Sequence, residues 1–343
     1  MAIEANGYAM GAYELMEQNG IICYVAHPMK LRLIGESKLK TDKIDSEILA
    51  NLLRTNYLPK AYIPDREIRE IRDILRHRQD IVDEIVRIKN RVHALLAKNM
   101  IDIKKEVTDV FGKRGREILR NLELSRNDRF RLDSYLRQLE FYESELENIE
   151  DYLSVIAYST EEVRLIMTIP GIGPITALTI VAEIGDISRF RDSRKLAAYC
   201  GLTPSIRASG DKIHMGHVRK DTNSHLKRVL VEAAHIAIRY PGNLKRFYLR
   251  LSRRRGKQIA IVATARKLIR IIYAMLTSGE RYRDEDPELT ERKIYKLMRK
   301  AKKSKNNPSP PHSTVACAEP SPSARRPYNL KKSRMRMELN PTV

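Results

Sequence analysis

Over residues 65–157 the apolar side chains recur every seven positions, and no other feature restricts the fold so tightly. Ile71, Ile85 and Val92 fill one heptad position; Ile74, Ile81, Ile88 and Leu95 fill the other, and only Arg78 breaks the seam. A second stretch repeats Leu132, Leu139, Leu146 and Leu153 beside Tyr135, Tyr142, Ile149 and Ile156. A spacing of 3.5 residues gives each helix one apolar stripe that another helix must cover. Two stripes joined by a polar, mixed segment predict a long antiparallel helical hairpin or an intermolecular coiled coil. Arg69, Arg72, Arg76, Arg78, Arg87, Lys89, Arg91 and Lys98 make the first helix basic, which fits either a solvated face or nucleic-acid contact.

The charge extends beyond that helix. Lys and Arg number 64 against 43 Asp and Glu, a net charge of +21. Such an excess favours a polyanion, and nucleic acid leads over an anionic membrane surface. No run approaches the roughly 18 apolar residues of a spanning helix, so no membrane partner is expected. Cys23, Cys200 and Cys317 are far apart and lack metal-ligand spacing, which fits a reducing cytoplasm. With no Trp and little Phe, charge rather than aromatic stacking carries the binding.

Residues 1–60 read as α/β. A short apolar start reaches Glu4, a helix spans Tyr8 to Gln18, and Ile21–Ala26 reads as a strand buried on both faces. A second helix covers Asp42 to Arg54. Asp42 and Asp45 fall within the arc of Ile44, Ile48, Leu49, Leu52 and Leu53, so two carboxylates face the interior, where unpaired charge is costly. Mg²⁺ would resolve that cost, with Glu4 at a strand end as a third ligand. The rival reading makes Thr41 an N-cap and Asp42 a first-turn acid.

Beyond residue 160, Ile169-Pro170-Gly171-Ile172-Gly173-Pro174 before an apolar helix has the form of a helix-hairpin-helix. Gly171 and Gly173 would let backbone N–H groups reach a phosphate; a tight interhelical turn is the alternative. Ser205–Lys212 reads as a polar loop between helices. There Ser209, flanked by Arg207 and Lys212, is either a solvated serine or a nucleophile toward a phosphodiester. His214, His217 and His225 lie nearby without zinc spacing. Residues 301–343 hold seven prolines and nine Lys/Arg against two Glu, a composition expected to be disordered.

These pieces, in this order, resemble the DEDD transposases of the insertion sequence 110 family, relatives of the Piv-type DNA invertases. The resemblance rests on "AIEANGYAMGAYELMEQNG", "KLKTDKIDSEILANLLR", "LPKAYIPDREIREIRDILRHR", "IKNRVHALL", "IPGIGPITALTIVAEIGDISRF", "KLAAYCGLTPSIRASGDK" and "HLKRVLVEAAHIAIR", spread over about residues 2–280. It implies a mixed, mostly α architecture in four parts. These are a partial RuvC-like, RNase H-type α/β domain (1–62), a coiled-coil helical hairpin (63–160), and an α-helical C-terminal transposase domain with helix-hairpin-helix and serine loop (161–282). A basic helix with a Pro-rich disordered tail follows (283–343). It further implies Mg²⁺ held by Glu4, Asp42 and Asp45 as the second to fourth acids of a tetrad, and Ser209 as a nucleophile forming a phosphoserine link to DNA. A bridge RNA would choose sequence by base pairing while a homo-oligomer, dimer or tetramer, grips backbone at the nucleoid.

The family carries a strand-borne aspartate tens of residues before its Glu4 motif. Here nothing precedes Met1-Ala2-Ile3, so the expectation is an N-terminally truncated or mis-started reading frame whose activity is in question. The rival functions are a non-catalytic nucleic-acid-binding remnant and a Holliday-junction-type nuclease.

Overall fold

Parallel strands cannot be joined by a tight turn and need a crossover, and the chain opens on one. In this computed structural model, which describes residues 1–34, 42–103, 106–209, 212–218 and 222–306, β1 (Ala2–Glu4) leads through α1 (Ala9–Gln18) to β2 (Tyr24–Ala26). The strands pair in parallel, Ala2 with Tyr24, Ile3 with Val25 and Glu4 with Ala26. Residues 59–61 flank β2 on its other side: the Ala61 N–H donates to Val25 O and the His27 N–H to Pro59 O, both at 2.8 Å. α2 (Pro28–Ile34) and α3 (Asp42–Arg54) follow, and α3 packs against β1.

The second strand is shorter than its apolar run. Ile21 and Ile22 are exposed, and the strand starts only at Tyr24. The cause is the end of α1. Gly20 takes a left-handed φ of 73°, the Gly20 N–H bonds Glu17 O, and the Ile21 N–H bonds Met16 O. That is a Schellman closure, in which the residue after the glycine still serves the helix and is unavailable to a ladder.

α4 (Arg66–Lys98), α5 (Lys113–Asn121) and α6 (Arg126–Ser159) form the helical hairpin. Cross-pairs Arg78–Glu150, Lys89–Glu143 and Lys98–Asp128 run in opposite directions along the two long helices, so they are antiparallel. The two heptad seams meet within one chain: Ile81, Ile85, Ile88, Val92 and Leu95 share a core with Leu132, Leu136 and Leu139, and α5 adds Leu119. Arg78, the break in the seam, reaches Glu150 on the opposite helix. Much of the basic character of α4 is also used internally, Arg69 toward Glu14 and Arg72 and Arg76 toward Glu183.

At its base the hairpin joins a second core. α7 (Glu161–Ile166), α8 (Pro174–Ile184), a 3-10 turn (Ile187–Arg189) and α9 (Ser193–Tyr199) lead into the strands β3 (Pro204–Ser209) and β4 (Lys212–Val218). Then come α10 (Ser224–Ala237), α11 (Asn243–Arg255), α12 (Lys257–Ser278) and α13 (Pro287–Asn306). α12, with Ala265, Leu268, Ile269 and Ile272 fully buried, packs against α7, α9, α10 and α11. Leu75 of α4 and Leu153 and Ala157 of α6 belong to the same core, so the long hairpin is rooted in it. The described chain is mostly helical, and among the described residues no helix is long and apolar enough to cross a membrane. The proline-rich tail lies outside the described residues from 307 onward.

Leu139 is fully buried where α4 and α6 meet. Leu139→Ala should lower unfolding free energy by about 2–5 kcal/mol, as lost transfer energy plus a cavity, measured by urea denaturation followed by circular dichroism.

Candidate active site and nucleic-acid interface

The segment read from sequence as a polar loop is a two-stranded antiparallel hairpin. Ser209 pairs with Lys212, Ala208 with Ile213, Arg207 with His214 and Ile206 with Met215, with an irregularity near Pro204. A period-two pattern was present in the sequence: Ile206, Ala208, Ile213 and Met215 fall on one face of the ladder, and Arg207, Ser209, Lys212 and His214 on the other. Ser209 is the last residue of β3, opposite Lys212 and two residues after Arg207. The side chains of these three lie outside the described residues, as does the connecting pair 210–211.

The base of the hairpin is tightly fitted. Gly201 has φ 67°, and a Cβ there would lie 2.0 Å from Thr222 Oγ1; a Cβ on Gly216 would lie 2.4 Å from Ser205 Oγ. Asn223 closes the segment twice over. Its Oδ1 accepts from the Leu226 N–H at 2.9 Å and so caps α10, while its Nδ2 donates to Glu183 Oε2 at 2.7 Å.

Glu183 is the polar centre of this region. Its side chain is only 2% exposed, yet Arg76 Nη2 stands 3.2 Å from Oε1 and Arg72 Nε 3.8 Å from Oε2. Arg72 also donates to the carbonyls of Ala182 (2.7 Å) and Glu183 (2.9 Å), satisfying the last turn of α8. Burial pushes the Arg72 guanidinium below its ordinary pKa, and the Glu183 carboxylate opposes that shift. Alongside, the Arg189 guanidinium lies 4.1 Å from the Tyr62 ring centroid, 4.1 Å from Phe190 and 4.5 Å from Tyr199, while Tyr62 Oη accepts from the Asp186 N–H. One cluster thus ties α4, the end of α8 and the segment after α3 to the residue that follows the serine hairpin. Sequence reasoning did not single out Glu183, although it is the only acid in the apolar run from Ile175 to Ile184.

The acidic residues are carried by neighbouring elements. Glu4 is exposed at the end of β1, Asp45 is half-buried on α3, and α3 packs on β1; the Asp42 side chain lies outside the described residues. Next to Ala26, the register partner of Glu4, His27 has a buried Nδ1 without a hydrogen-bond partner among the described residues. Among the described residues no three His, Cys, Asp or Glu side chains are gathered for a metal. In chemistry the donors fit a hard divalent cation, since carboxylate oxygens are what Mg²⁺ takes.

The two hairpin glycines differ. Gly171, with φ 89°, is pressed against the end of α10, and a Cβ there would lie 2.7 Å from Ala237 N. Gly173, which precedes Pro174 at the start of α8, has open space around its Cα. A basic surface that the sequence reading passed over lies on α11 and the start of α12. Lys245, Arg246, Arg250, Arg253, Arg254, Arg255 and Lys257 take part in none of the described ion pairs. Lys267 stands over the Phe247 ring at 4.8 Å, and burial together with Arg250 and Arg246 lowers its pKa despite Asp284.

The region holding the hairpin, Glu183 and most of α11, residues 163–249, matches the model of the transposase IS116/IS110/IS902 family, and a DEDD-type transposase model of the IS110 group matches residues 1–101. The chain belongs to this family. The transposase for insertion sequence element IS1111A of Coxiella burnetii is 27% identical over 82% of this chain and 79% of its own length. The transposase for IS1328 of Yersinia enterocolitica is 27% identical over 70% of this chain and 72% of its own. The pilin gene-inverting protein of Moraxella bovis is 35% identical over 33% of this chain and 36% of its own. This transposase is therefore a DNA-transposing enzyme by family.

Removing one partner of a buried ion pair strands the other charge. Glu183→Ala should cost about 3–5 kcal/mol in urea unfolding, and a loss within 0.5 kcal/mol of zero, roughly the scale of a surface substitution, would show that Arg72 and Arg76 do not depend on it.

Proposed function

We propose that this transposase cuts and rejoins DNA through Ser209. The observation that carries the reading is the position of Ser209 at the end of a two-stranded hairpin, opposite Lys212 and two residues after Arg207. A nucleophile needs a fixed frame, and the Asn223–Glu183 bond holds the hairpin base to α8 and α4. In the step, Ser209 Oγ bonds to phosphorus while the bond from phosphorus to the leaving sugar oxygen breaks. The serine proton passes to solvent and the leaving oxygen gains one. Attack by a second strand's hydroxyl reverses the phosphoserine link. Arg207 and Lys212 offset the charge that develops on the phosphoryl oxygens.

The N-terminal part, 1–62, is read as RuvC-like, with Glu4, Asp42 and Asp45 holding Mg²⁺. When bound, that ion supplies Lewis-acid stabilisation of phosphoryl charge. The helical hairpin, 63–160, is read as a coiled coil. The part from 161 to 282 is read as the strand-transfer domain, with a helix-hairpin-helix in which Gly173 offers backbone to phosphate; Gly171 serves packing. The basic helix and tail make up 283–343. DNA backbone is gripped by the unpaired cations of α11, which suits a division of labour in which a bridge RNA reads sequence by pairing. A homo-oligomer, dimer or tetramer, bringing two such sites to two duplexes is supported by Phe130, Phe141 and Tyr152. These are exposed on α6 at eleven-residue spacing, which brings them back to one face. The site of action is the cytoplasmic nucleoid.

Strand exchange on plasmid substrates with the full chain should fall about 10³-fold or more in Ser209→Ala, with loss of the denaturation-resistant protein–DNA adduct. Full activity in Ser209→Ala together with inactivity of Asp45→Ala would replace the serine mechanism by a metal-dependent nuclease. Replacing Arg253, Arg254 and Arg255 by Ala should weaken DNA binding across sequences and reduce the slope of log affinity against log salt by roughly 2–3; an unchanged slope would remove α11 from the interface.

A further inference from the structure

Where a helix ends, its last carbonyls lose their intrahelical partners and must be satisfied otherwise. At the turn between α7 and α8 three carbonyls converge, the first of them at the cap residue Met167. Met167 O, Ile169 O and Ile172 O all accept from the ammonium of Lys293 on α13, the latter two at 3.1 and 3.2 Å. All three of these residues are fully buried. An ammonium has three donors, and here all three go to neutral backbone oxygens with no carboxylate among the partners. The approach of α13 is fixed on both sides: the Tyr282 N–H donates to Thr168 Oγ1 at 3.2 Å, and Lys300 reaches Glu150 and Asp151 on α6. Burial lowers the Lys293 pKa to about 8, opposed by Glu285 and Asp286, so at neutral pH the group still carries its charge.

We propose that the 167–172 turn is a monovalent-cation site that the chain fills with its own ammonium. The charge type follows from the oxygens. Rings of neutral carbonyls replace the hydration shell of a singly charged ion, whereas divalent cations draw on directly coordinating carboxylates; Glu285 and Asp286 act on the ammonium only through their charge, and its described hydrogen bonds all go to carbonyls. Burial of an unsolvated charge would be prohibitive; the carbonyls offset part of that penalty, and Lys293 supplies the cation at high effective concentration because it is tethered. The inference does not depend on the serine mechanism: the cradle exists whether or not Ser209 attacks DNA.

Lys293→Ala empties the cradle while leaving its oxygens in place. Thermal unfolding of the full chain is compared in choline, potassium and ammonium chlorides at equal ionic strength. The variant should melt below the wild type in choline and recover roughly 2–4 °C in potassium or ammonium, while the wild type melts alike in all three. A variant indifferent to the salt, or a wild type that shifts as much as the variant, overturns the proposal. Should the variant fail to fold in every salt, amine acylation of the wild type decides. Lys293 should react at least about tenfold more slowly than the exposed Lys296 and Lys302 once its larger neutral fraction is allowed for, in line with a group held in a locally closed region, and equal reactivity on that basis overturns the assignment.

Discussion

The rest of this structure depends on one buried carboxylate. Glu183 stands at the end of an apolar helix, and its desolvation is tolerable only because Arg72, Arg76 and Asn223 converge on it. The partners come from two distant parts of the chain, Arg72 and Arg76 from α4 and Asn223 from the start of α10, so satisfying one charge fixes α4 to the end of α8 and the start of α10 to both. The serine hairpin lies between α9 and α10. Its N-terminal end leaves α9 through Gly201, packed on Thr222, and its C-terminal end enters the Asn223 cap. A hairpin of two short strands has little stability of its own, so the position of its base depends on this buried network.

The same logic sorts the positive charge. A net +21 suggests a uniformly basic surface, but the cations divide into two populations. Arg72, Arg76, Arg78 and Arg116 are committed to acids on neighbouring helices, and Lys293 to carbonyls. Those on α11 have no described acid partner. An uncommitted run concentrated on one short helix costs stability through self-repulsion, as at Lys267, whose pKa burial lowers and Arg250 and Arg246 lower further. A polyanion would relieve that repulsion, which is why α11, and not the more basic-looking α4, is the surface proposed for DNA.

What was legible in the sequence follows from which interactions are local. The heptads predicted α4 and α6, because a one-sided apolar stripe requires a covering helix wherever that helix comes from. The limits Asp42–Arg54 were also readable, since composition and capping act within a few residues. The strand at Ile21 was misread because the Schellman closure of α1 took over Ile21. The serine segment was misread because its polar face drew attention away from the alternation of Ile206, Ala208, Ile213 and Met215. Glu183 was invisible for a different reason: its partners lie 107 to 111 residues before it and 40 after it. No local pattern announces a contact of that range, and the only hint is an acid where an apolar residue belongs.

That hint generalises to Lys293. A lysine on a basic helix reads as surface charge, and its neighbours Arg292 and Tyr295 are indeed exposed. Its commitment becomes evident only with the carbonyls of Met167, Ile169 and Ile172 around it. Both residues are charges placed where solvent is scarce, and each is matched by groups from a distant segment, carboxylate to guanidinium in one case and ammonium to backbone oxygen in the other. They act at opposite ends of α8, the helix between the glycine turn and the Glu183 cluster. With its entry held by a tethered cation and its exit by a buried anion, α8 has little freedom to shift. The α7–α8 turn and the base of the serine hairpin are thereby held in one frame, which the proposed serine mechanism requires if its nucleophile and its backbone-gripping groups are to meet the same phosphate backbone.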